Sequence, residues 1–525
     1  MSKDALDFHQ YPQPGKIGTK ITKKIRNRAD LGLAYTPGVA IPCMEINANI
    51  ENAFLYTNKG NTVAIISNGT AVLGLGDIGA LASKPVMEGK ALLLKYLAGV
   101  DSFDVEIDEK DPSKIIEHIQ AIACTFGGIN LEDVSAPSCF EIDEALTDTI
   151  GIPFCHDDQH GTAVVTVAAV TSGLKLINKN IEDVKIVFSG AGAASMACAN
   201  LLAYSGAKIE NIYMCDSKGL INTSRSIEFD QYKAKYAIGK TETLSLAQCL
   251  EEADVFIGLS KANLVSKEHV MKMAKDPIIL GMANPTPEIL PTDARQARPD
   301  SIVGSGRSDF INQVNNVLCF PFLFRGALDV QATRISMNMK IACVDAIIEC
   351  AQNHPDFSKD RIMPNAFDPT LLYKAPRAIA EAAIKDKVNK KDLPENYNQY
   401  LDQLVYGSSF DANDVGIPEI GNESASDLVR ILKEHNVAKT ISKKLFVLDF
   451  TEIINKIPSI ESGIIVFDDF NVSFNCNTTA AKCDNIAQLL EENKDKNLIG
   501  IITSKELLFS NENRIWYANK LCTLK

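Results

Sequence analysis

The chain has 525 residues, 46% of them hydrophobic and 23% charged, which are ordinary values for a protein with several folded domains. Its 66 acidic and 53 basic residues give a net charge of -13, so no general positive field exists to attract nucleic acid. The first residues lack the apolar core of a secretory signal, no apolar run approaches membrane-spanning length, and the 13 cysteines include no Cys-x-x-Cys pair. We therefore expect a reduced cytoplasmic protein that binds neither nucleic acid nor membrane.

Short β-branched runs alternate with longer helical stretches from about residue 62 onward. This pattern is typical of a parallel sheet covered by helices, so the predicted fold class is α/β. Apolar residues three and four positions apart identify the helices. The predicted strands cover residues 62–66, 103–107, 184–189, 212–215, 255–259, 278–282 and 302–303, and the predicted helices cover residues 85–97, 114–125, 161–178 and 192–205.

Two polar stretches interrupt this pattern. Residues 352–369, rich in Asn, Asp, Lys and Pro, predict a long loop, and residues 407–425 predict a linker. Beyond the linker, apolar runs at 445–448, 464–467 and 499–502 predict further strands. Residues 426–525 are therefore expected to form a small C-terminal α/β extension.

Two glycine-rich loops compete for a dinucleotide, whose pyrophosphate needs a strand, a tight glycine turn and a helix amino terminus. In one, Gly190-Ala191-Gly192-Ala193-Ala194-Ser195 lies between a strand and an Ala-rich helix, and the next strand ends at Asp216, which could bind a ribose hydroxyl. The rival, Gly74-Leu75-Gly76-Asp77-Ile78-Gly79, also follows a β-rich run, but Pro85 is expected to delay its helix. We assign the cofactor to residues 190–195.

The residue at the end of the second strand bears on the choice between NAD and NADP. Asp216 alone favours NAD, because its carboxylate would repel the additional 2′-phosphate of NADP. Lys218, two residues later, could offset that repulsion. The sequence pattern therefore leaves both nucleotides open.

Two acidic pairs, Glu132-Asp133 and Asp157-Asp158, lie where a strand gives way to a loop. Such strand ends face the ligand crevice of an open α/β sheet. Three carboxylates, together with water and a substrate carbonyl, form a hard oxygen site suited to Mg²⁺ or Mn²⁺.

Two alternatives for these acids remain open. His156 and His160, four residues apart, could bind zinc, although no third nitrogen or sulfur ligand lies close in sequence. The acids could also be solvated side chains that cap a helix beginning at Gly161.

The sequence resembles the malic enzymes, most closely the bacterial-type NADP-dependent ones, over about residues 5–405. Ordered motifs carry this resemblance. They are Ala34-Tyr35-Thr36-Pro37-Gly38-Val39, Ser67-Asn68-Gly69-Thr70-Ala71-Val72 with the glycines that follow it, Lys84-Pro85-Val86-Met87-Glu88-Gly89-Lys90, His156-Asp157-Asp158-Gln159-His160-Gly161, Asn284-Pro285, Gly306-Arg307-Ser308-Asp309 and Asn312-Gln313-Val314-Asn315-Asn316-Val317.

The resemblance implies a domain order and a reaction. An α/β substrate and metal domain, residues 1–160, would precede a Rossmann-type NAD(P)-binding domain, residues 161–405, and residues 74–79 would belong to the active-site wall. The implied reaction converts L-malate to pyruvate and CO₂ with reduction of NADP, with NAD possible, and requires Mg²⁺ or Mn²⁺. A homodimer or a higher homo-oligomer is also implied.

The resemblance further implies a role for each site residue. A lysine can take a proton from the 2-hydroxyl at neutral pH only if burial or a nearby cation lowers its pKa. The implied roles are Lys90 as general base and Tyr35 as general acid, both contacting substrate; Glu132, Asp133 and Asp158 as metal ligands; Asn284 and Asn315 as ligands of the malate carboxylate, with Asn284 also contacting the cofactor; and Asp157 as a supporting acid.

Two features depart from the family pattern. Residues 69–72 lack the arginine that the larger animal-type enzymes place in this block, so substrate binding would rely on asparagines and backbone donors. The final hundred or so residues are too few for the phosphotransacetylase-like domain of many bacterial-type enzymes. Residues 498–508 resemble the closing strand and helix of a CBS regulatory module, and a purely structural or dimerising extension is an equal alternative.

Two other functions fit part of the pattern. A simple hydroxy- or amino-acid dehydrogenase would share the dinucleotide loop but would not decarboxylate. A catalytically silent regulatory protein would bind the nucleotide without turnover.

Overall fold

The structure is a computed structural model that describes residues 2–405, except residues 12, 24, 73, 229–230 and 240–241, together with three later strands. Residues 1–405 belong to one compact unit and residues 406–525 to a second. The predicted linker at 407–425 and the helix of the CBS-like segment lie outside the described residues.

The first part of the chain folds around a four-stranded sheet. Its strands are β1 Thr62–Ser67, β2 Asp101–Glu106, β3 Gly128–Leu131 and β4 Phe154–His156. Its helices are α1 Ser2–Gln10, α2 Arg28–Ala34, α3 Ala40–Ala48, α4 Ala53–Tyr56, α5 Ala80–Ala98, α6 Pro112–Ile122, α7 Ser138–Leu146 and α8 Asp157–Ile177, with short 3₁₀ turns at Ile50–Asn52, Asn58–Asn61 and Ala123–Thr125.

The four strands are parallel and lie in the order β2-β1-β3-β4. Every residue of β1 is buried, as expected for a central strand with both faces covered. The chain crosses from one side of β1 to the other between β2 and β3. The crevice beyond the ends of β1 and β3 is therefore a topological switch point, the usual ligand position in such sheets.

The second sheet has six strands in the order β10-β9-β8-β5-β6-β7. These strands are β5 Ile186–Ser189, β6 Ile212–Asp216, β7 Gly219–Leu220, β8 Val255–Gly258, β9 Ile278–Gly281 and β10 Ile302–Ser305. The helices among them are α9 Ala193–Tyr204, α10 Gln231–Ala234, α11 Leu246–Leu250, α12 Lys267–Met271 and α13 Pro291–Ala297, with 3₁₀ turns at Ile209–Asn211, Thr223–Glu228 and Asn316–Leu318.

Only the short strand β7 is antiparallel to its neighbour in this sheet. The chain passes from β5 to β6 on one side and later returns to β8 on the other side. The resulting switch point between β5 and β8 is where a Rossmann-type fold binds its dinucleotide. The predicted α/β class is confirmed, and the second sheet has the Rossmann-type arrangement.

Four helices complete the first unit: α14 Phe320–Asp329, α15 Met337–Gln352, α16 Pro369–Lys385 and α17 Tyr397–Val405.

A buried polar network in α14 connects distant segments. The Arg325 guanidinium forms a bidentate ion pair with Asp329, with Nε 2.9 Å from Oδ2, and donates to Asn61 Oδ1 at 2.6 Å. The Tyr397 hydroxyl donates to Asp329 at 2.7 Å. This network joins α14 to α17 and to the turn before β1.

The predicted strands and helices are present in the structure, which adds further elements and differs from two expectations. Strands β3 and β4 are the strands that were expected before the two acidic pairs, but their bounds were not predicted, because they have only four and three residues and lack a β-branched run. Helix α5 begins at Ala80, before Pro85, so the predicted delay is wrong. The proline leaves the carbonyl of Leu81 without its helical donor, and Leu81 lies on the exposed side, where water can bond to that carbonyl.

Helix α8 crosses the domain boundary that was predicted after residue 160, so that boundary stays a prediction. By length and composition, α8 could also cross a membrane, but 67% of its most apolar window is buried inside the protein. Core helices of soluble proteins have the same features, so this is weak support for a membrane span.

The described part of the second unit is a parallel sheet of three strands in the order β11-β12-β13. The strands are β11 Leu445–Leu448, β12 Gly463–Phe467 and β13 Leu498–Ile502. The predicted strands of the extension are therefore confirmed.

Candidate active site

The acidic pairs lie together at the carboxyl edge of the first sheet. Glu132 and Asp133 follow the end of β3, and Asp157 and Asp158 follow the end of β4 as the first residues of α8. Parallel strands end at the same edge, so two segments that are distant in sequence meet beside the switch point.

Lys90 is buried among these acids. It lies on the inner face of α5, its ammonium forms a short ion pair with Asp157, and its Nζ is 2.9 Å from Glu132 Oε1. The same nitrogen lies 4.3 Å from the centre of the Phe320 ring, a cation–π distance. Lys90 is therefore not the solvated surface residue that most helical lysines are.

The charge state of Lys90 depends on the carboxylates around it. Burial lowers the pKa of Lys90, but the negative charges of Asp157, Glu132 and Asp158 outweigh burial and raise it. Without a balancing positive charge at the carboxylates, Lys90 is a cation. That a bound metal ion lowers the pKa of Lys90 therefore stays a prediction.

Glu132, Asp133 and Asp158 form a cluster whose carboxylate oxygens lie within 4.8 Å of one another. The backbone at Asp133 adopts a left-handed conformation, with φ of 51°, and its N–H donates to Asp158 Oδ2 at 2.8 Å. A non-glycine residue in this conformation carries strain that the surrounding contacts must hold in place.

The electrostatics of this cluster favour a bound cation. Burial raises the pKa of Glu132 well above its usual value, and the nearby charges of Asp158, Asp157 and Asp133 raise it further, although Lys90 opposes them. An all-oxygen set of three converging carboxylates is the donor set that Mg²⁺ and Mn²⁺ prefer. The residues present therefore fit a divalent metal.

A buried histidine forms a hydrogen bond with one residue of the cluster. His156 is buried, with Nε2 3.2 Å from Asp158 Oδ2 and Nδ1 2.7 Å from Gln159 Nε2. Burial opposes a charge on this ring, but the hydrogen bond to Asp158 raises the pKa of His156 to about 10. His156 thus holds Asp158 in position.

His160 does not join a zinc site. Its Nε2 lies 3.1 Å from Asp143 Oδ2, and its Nδ1 lies 3.0 Å from Lys340 Nζ, so both ring nitrogens have partners. Within the described residues, the candidate metal cluster contains only carboxylates. The zinc interpretation is therefore not supported.

Asp157 occupies the centre of the arrangement. Its Oδ2 accepts from Lys90 and from Asn316 Nδ2, the latter at 2.6 Å, while its Oδ1 is buried without a hydrogen-bond partner. A side chain at Gly161 would collide with that carboxylate, which explains the glycine one turn later. Asp157 is fully buried and is not a solvated helix cap.

The loop that begins at Gly69 contacts the acidic cluster, because the N–H of Ala71 donates to the carbonyl oxygen of Asp133 at 3.0 Å. Gly69 O accepts the N–H groups of Ile78 and Gly79, which closes the loop at its base. A Cβ on Gly74 would lie 3.0 Å from the carbonyl oxygen of Asn284, so the loop packs against that segment. That residues 74–79 form an active-site wall stays a prediction.

The two asparagines assigned to malate have different surroundings. Asn284, partly exposed, follows β9 and lies close to Gly306. Asn315 Oδ1 accepts from the N–H of Val317 at 3.0 Å, so Asn315 caps a short helical turn. Its side chain is therefore already engaged by backbone.

The loop after β5 has the features of a pyrophosphate cradle. Gly190 has φ of 111°, and a Cβ there would lie 2.6 Å from Leu259 O. No side chain caps α9 at Gly192, so the N–H groups of Ala193 and Ala194 in its first turn can bind a ligand. The Oγ of Ser195 is buried and has no hydrogen-bond partner. These residues fit the phosphates of a dinucleotide.

The end of β6 carries the predicted ribose ligand. Asp216 closes the strand, and its Oδ1 accepts from the backbone N–H of Lys218 at 2.8 Å. The structure thus places the glycine loop and Asp216 at the ends of the neighbouring strands β5 and β6.

Tyr35 is not brought into the buried cluster by this chain. It ends α2 and is 69% exposed. Helices α2 and α3 contain no buried residue, so this segment is not covered by the part of the chain that the structure describes.

Family models match most of the first unit. The malic enzyme N-terminal domain matches residues 14–114, and the malic enzyme NAD binding domain matches residues 159–386. An NADP-dependent malic enzyme of Halomonas elongata is 48% identical over 416 residues, which cover 77% of this chain and 98% of that protein. The chain belongs to the malic enzyme family.

Other members of the malic enzyme family agree with this assignment. An NADP-dependent malic enzyme of Escherichia coli is 50% identical over 418 residues, which cover 77% of this chain and 55% of that protein. The chain thus spans about half the length of that relative. The crystal structure of malic enzyme from Pyrococcus horikoshii superposes with a TM-score of 0.73 at 39% identity, covering 79% of this chain and 98% of that one.

In this malic enzyme family member, sequence reasoning missed two supporting residues. Asn316, adjacent to the predicted Asn315, is the one that contacts Asp157. Glu288 is fully buried and accepts from the N–H groups of Ser260 at 2.7 Å and Ala283 at 3.1 Å. Through these hydrogen bonds, Glu288 connects the loop after β8 to the loop after β9. A charged residue four positions after Asn284 gave no local signal of this role.

Proposed function

We propose that the chain catalyses the oxidative decarboxylation of L-malate to pyruvate and CO₂, with reduction of NADP and with Mg²⁺ or Mn²⁺ bound. One observation carries the proposal: in a member of the malic enzyme family, buried Lys90 touches Asp157 and Glu132 beside three converging carboxylates. Residues 1–160 would provide the substrate and metal site, and residues 161–405 the dinucleotide site.

Glu132, Asp133 and Asp158 would hold the metal ion. When bound, that ion would orient the 2-hydroxyl and carboxylate of malate and stabilise negative charge that develops on the substrate oxygen. Asn284 and Asn315 would hold a malate carboxylate, which fits the position of Asn284 after β9 and the hydrogen bond of 3.4 Å from Asn315 Nδ2 to the carbonyl oxygen of Gly306, close to Asn284. No arginine occurs at 69–72 to share this task.

Lys90 would take the proton of the 2-hydroxyl as hydride leaves C2. Lys90 can do so only when a positive charge balances the surrounding carboxylates. These carboxylates then no longer raise the pKa of Lys90, and burial lowers it. Asp157 would keep the ammonium in place between turnovers and receive its hydrogen bond.

The nicotinamide, held by residues 190–195, would accept the hydride. The resulting 2-keto acid has a carboxylate β to the new carbonyl, so loss of CO₂ leaves the electron pair as an enolate. Tyr35 would then protonate C3 and give pyruvate. This role requires that the exposed segment containing Tyr35 be covered.

A homodimer would provide that cover. Large apolar side chains are exposed along α2, α3, the 3₁₀ turn that follows and α4. They include Leu31, Leu33, Tyr35, Ile41, Met44, Ile50, Leu55 and Tyr56. An apolar surface of this kind marks an interaction site, and a second copy of the chain is the partner that the family resemblance implies.

The cytoplasm, where thiols stay reduced, is the proposed location.

The test is formation of NADPH and pyruvate from L-malate by the purified chain, with Mn²⁺ and with a chelator, and with NAD in place of NADP. Equal amounts of both products, formed only with the metal, are expected. NADPH without pyruvate would indicate a dehydrogenase that does not decarboxylate, and nucleotide binding without either product would indicate a silent regulatory protein. Either result would contradict the proposal.

A further inference from the structure

A polar side chain lies inside the first sheet, just before the acidic cluster. Asn130 is fully buried in β3, between Ile129 and Leu131, and its strand pairs with β1 on one side and with β4 on the other. Gly128, two residues earlier and therefore on the same face, abuts α14, because a Cβ there would lie 3.2 Å from the Phe324 ring. Covered strands of this kind normally carry apolar side chains, and strands disfavour asparagine. Packing alone therefore does not explain Asn130.

The amide of Asn130 is bonded to one of the proposed metal ligands. The N–H of Glu132 donates to Ile66 O at 2.8 Å, so the strand pairing continues as far as Glu132, and its side chain lies on the same face as that of Asn130. Asn130 Nδ2 donates to Glu132 Oε2 at 2.9 Å. An ionised carboxylate only accepts hydrogen bonds, so the amide nitrogen is the atom that faces it. The other oxygen, Oε1, lies 2.9 Å from Lys90 Nζ, so each oxygen of Glu132 is held by a different side chain.

The second polar atom of this amide has a different environment. Asn130 Oδ1 is buried and has no hydrogen-bond partner among the described residues. A buried acceptor without a partner destabilises the folded state, and such atoms are rare in folded proteins. Asn130 thus has one atom that fixes Glu132 and one that costs stability, which indicates a role beyond packing.

The two side chains that hold Glu132 differ in their chemistry. In the proposed function, Lys90 releases and regains a proton, so its attraction for Oε1 changes during turnover. The amide of Asn130 is neutral throughout, and its hydrogen bond to Oε2 does not depend on the charge of Lys90. Asn130 would therefore keep Glu132 directed toward Asp133 and Asp158 at every step.

We infer that Asn130 is a positioning residue for the metal site, which acts through Glu132 to hold one of the three carboxylates in place for Mg²⁺ or Mn²⁺. The inference rests on the proposed function in that the chain must bind a divalent metal at Glu132, Asp133 and Asp158. It gives Asn130 no ligand role of its own, because its amide nitrogen faces the carboxylate.

Asn130→Leu replaces the amide with an apolar side chain of similar shape. The hydrogen bond to Glu132 is lost, so Mn²⁺ should bind about ten- to a hundredfold more weakly, the usual effect of removing the partner of a metal ligand. Asn130→Gln keeps an amide donor and should retain more Mn²⁺ affinity than Asn130→Leu. NADPH affinity should stay that of the wild type in both variants, because residues 190–195 belong to the other sheet.

A double-mutant cycle separates positioning from a purely structural role. If Asn130 acts through Glu132, then Asn130→Leu should have no further effect on Mn²⁺ affinity once Glu132→Ala has removed the carboxylate. The matched control is Ser172→Ala. Ser172 is fully buried far along α8 from Asp158, and its Oγ has no hydrogen-bond partner among the described residues. Its replacement also removes a buried polar atom but should leave Mn²⁺ affinity unchanged.

The experiment is a titration of the purified full chain with Mn²⁺, followed by electron paramagnetic resonance, without nucleotide or malate. Fluorescence titration gives the NADPH affinity of the same samples, and melting temperatures identify any variant that is unfolded. Should Asn130→Leu be unfolded, Asn130→Ala, which removes the amide and adds no bulk, takes its place in the cycle.

The outcomes separate this inference from the proposed function. A wild-type chain that does not bind Mn²⁺ would overturn the proposed metal site and the inference with it. If the wild type binds Mn²⁺ and Asn130→Leu binds it equally well, the inference alone is wrong. It is also wrong if Asn130→Leu weakens binding by the same factor with and without Glu132→Ala. A loss of affinity that disappears in the Glu132→Ala background, with partial retention in Asn130→Gln, would support it.

Discussion

Lys90 and Asp157 form a buried ion pair although 67 residues separate them in sequence. Lys90 lies on α5, the helix that follows β1, and Asp157 is the first residue of α8, the helix that follows β4. The pair therefore exists only when the first sheet is assembled. It connects the proposed base to the edge of the sheet where the metal ligands lie.

The first prediction concerns the pH dependence of turnover in Asp157→Asn. Asp157 is the largest of the charges that raise the pKa of Lys90, so its neutralisation lowers that pKa. A base is active only when unprotonated, and the acidic limb of the kcat/KM profile should therefore move to lower pH. The rate at the optimum should fall by about tenfold or more, because the ammonium loses its main partner.

The matched control is Asp101→Asn. Asp101 pairs with Lys95 on the same helix α5, but both side chains are about half exposed. Its profile should superimpose on that of the wild type. An unshifted acidic limb in Asp157→Asn would contradict the assignment of Lys90 as the base.

The second prediction concerns metal binding. Asp158→Asn removes one of three carboxylates and the partner of His156, so Mn²⁺ affinity should fall by about ten- to a hundredfold. Calorimetric or paramagnetic titration with Mn²⁺ measures this without turnover. Glu141→Gln, an exposed acid on α7, should bind Mn²⁺ as the wild type does. Unchanged affinity in Asp158→Asn would remove this residue from the metal site.

The third prediction concerns the apolar surface around Tyr35. Ile41 and Met44 on α3 are 69% and 72% exposed, so a lysine at either position costs the single chain little. If a second copy covers this surface, Ile41→Lys and Met44→Lys should convert the dimer to monomer and reduce turnover. Light scattering measures the mass, and Met271→Lys on α12 is the control. A wild-type chain that is monomeric at assay concentration would contradict the dimer.

Much of the fold and of the candidate site follows from sequence because the signals are local. β-Branched runs locate β1, and the glycine spacing locates the turn before α9. The acids at 132–133 and 157–158 were predicted to be neighbours because they follow strands, and they do converge.

The remainder could not be predicted, because it depends on contacts between distant segments. Asn316 reaches Asp157 across 159 residues, and the ion pair between Arg225 and Asp216 forms only once β6 and the following turn come together. The charge of Lys90 depends on three acids from two other segments. Tyr35 ends a helix that has no buried residue among the described part of the chain, so no local pattern fixes its environment.

The last prediction concerns stability rather than chemistry. Arg325→Met removes the cationic partner of Asp329 and leaves a buried carboxylate whose remaining side-chain donors, among the described residues, are the hydroxyls of Tyr397 and Tyr400. Breaking a buried pair in this way costs about 3–5 kcal/mol, so the melting temperature of the first unit should fall by several degrees. Lys95→Met, which breaks a half-exposed pair, should cost less than about 1 kcal/mol. Because the network joins α14 to α17 and to Asn61, proteolysis should also become faster near residue 397 in Arg325→Met than in Lys95→Met. Equal melting temperatures for the two variants would show that the network does not stabilise the fold.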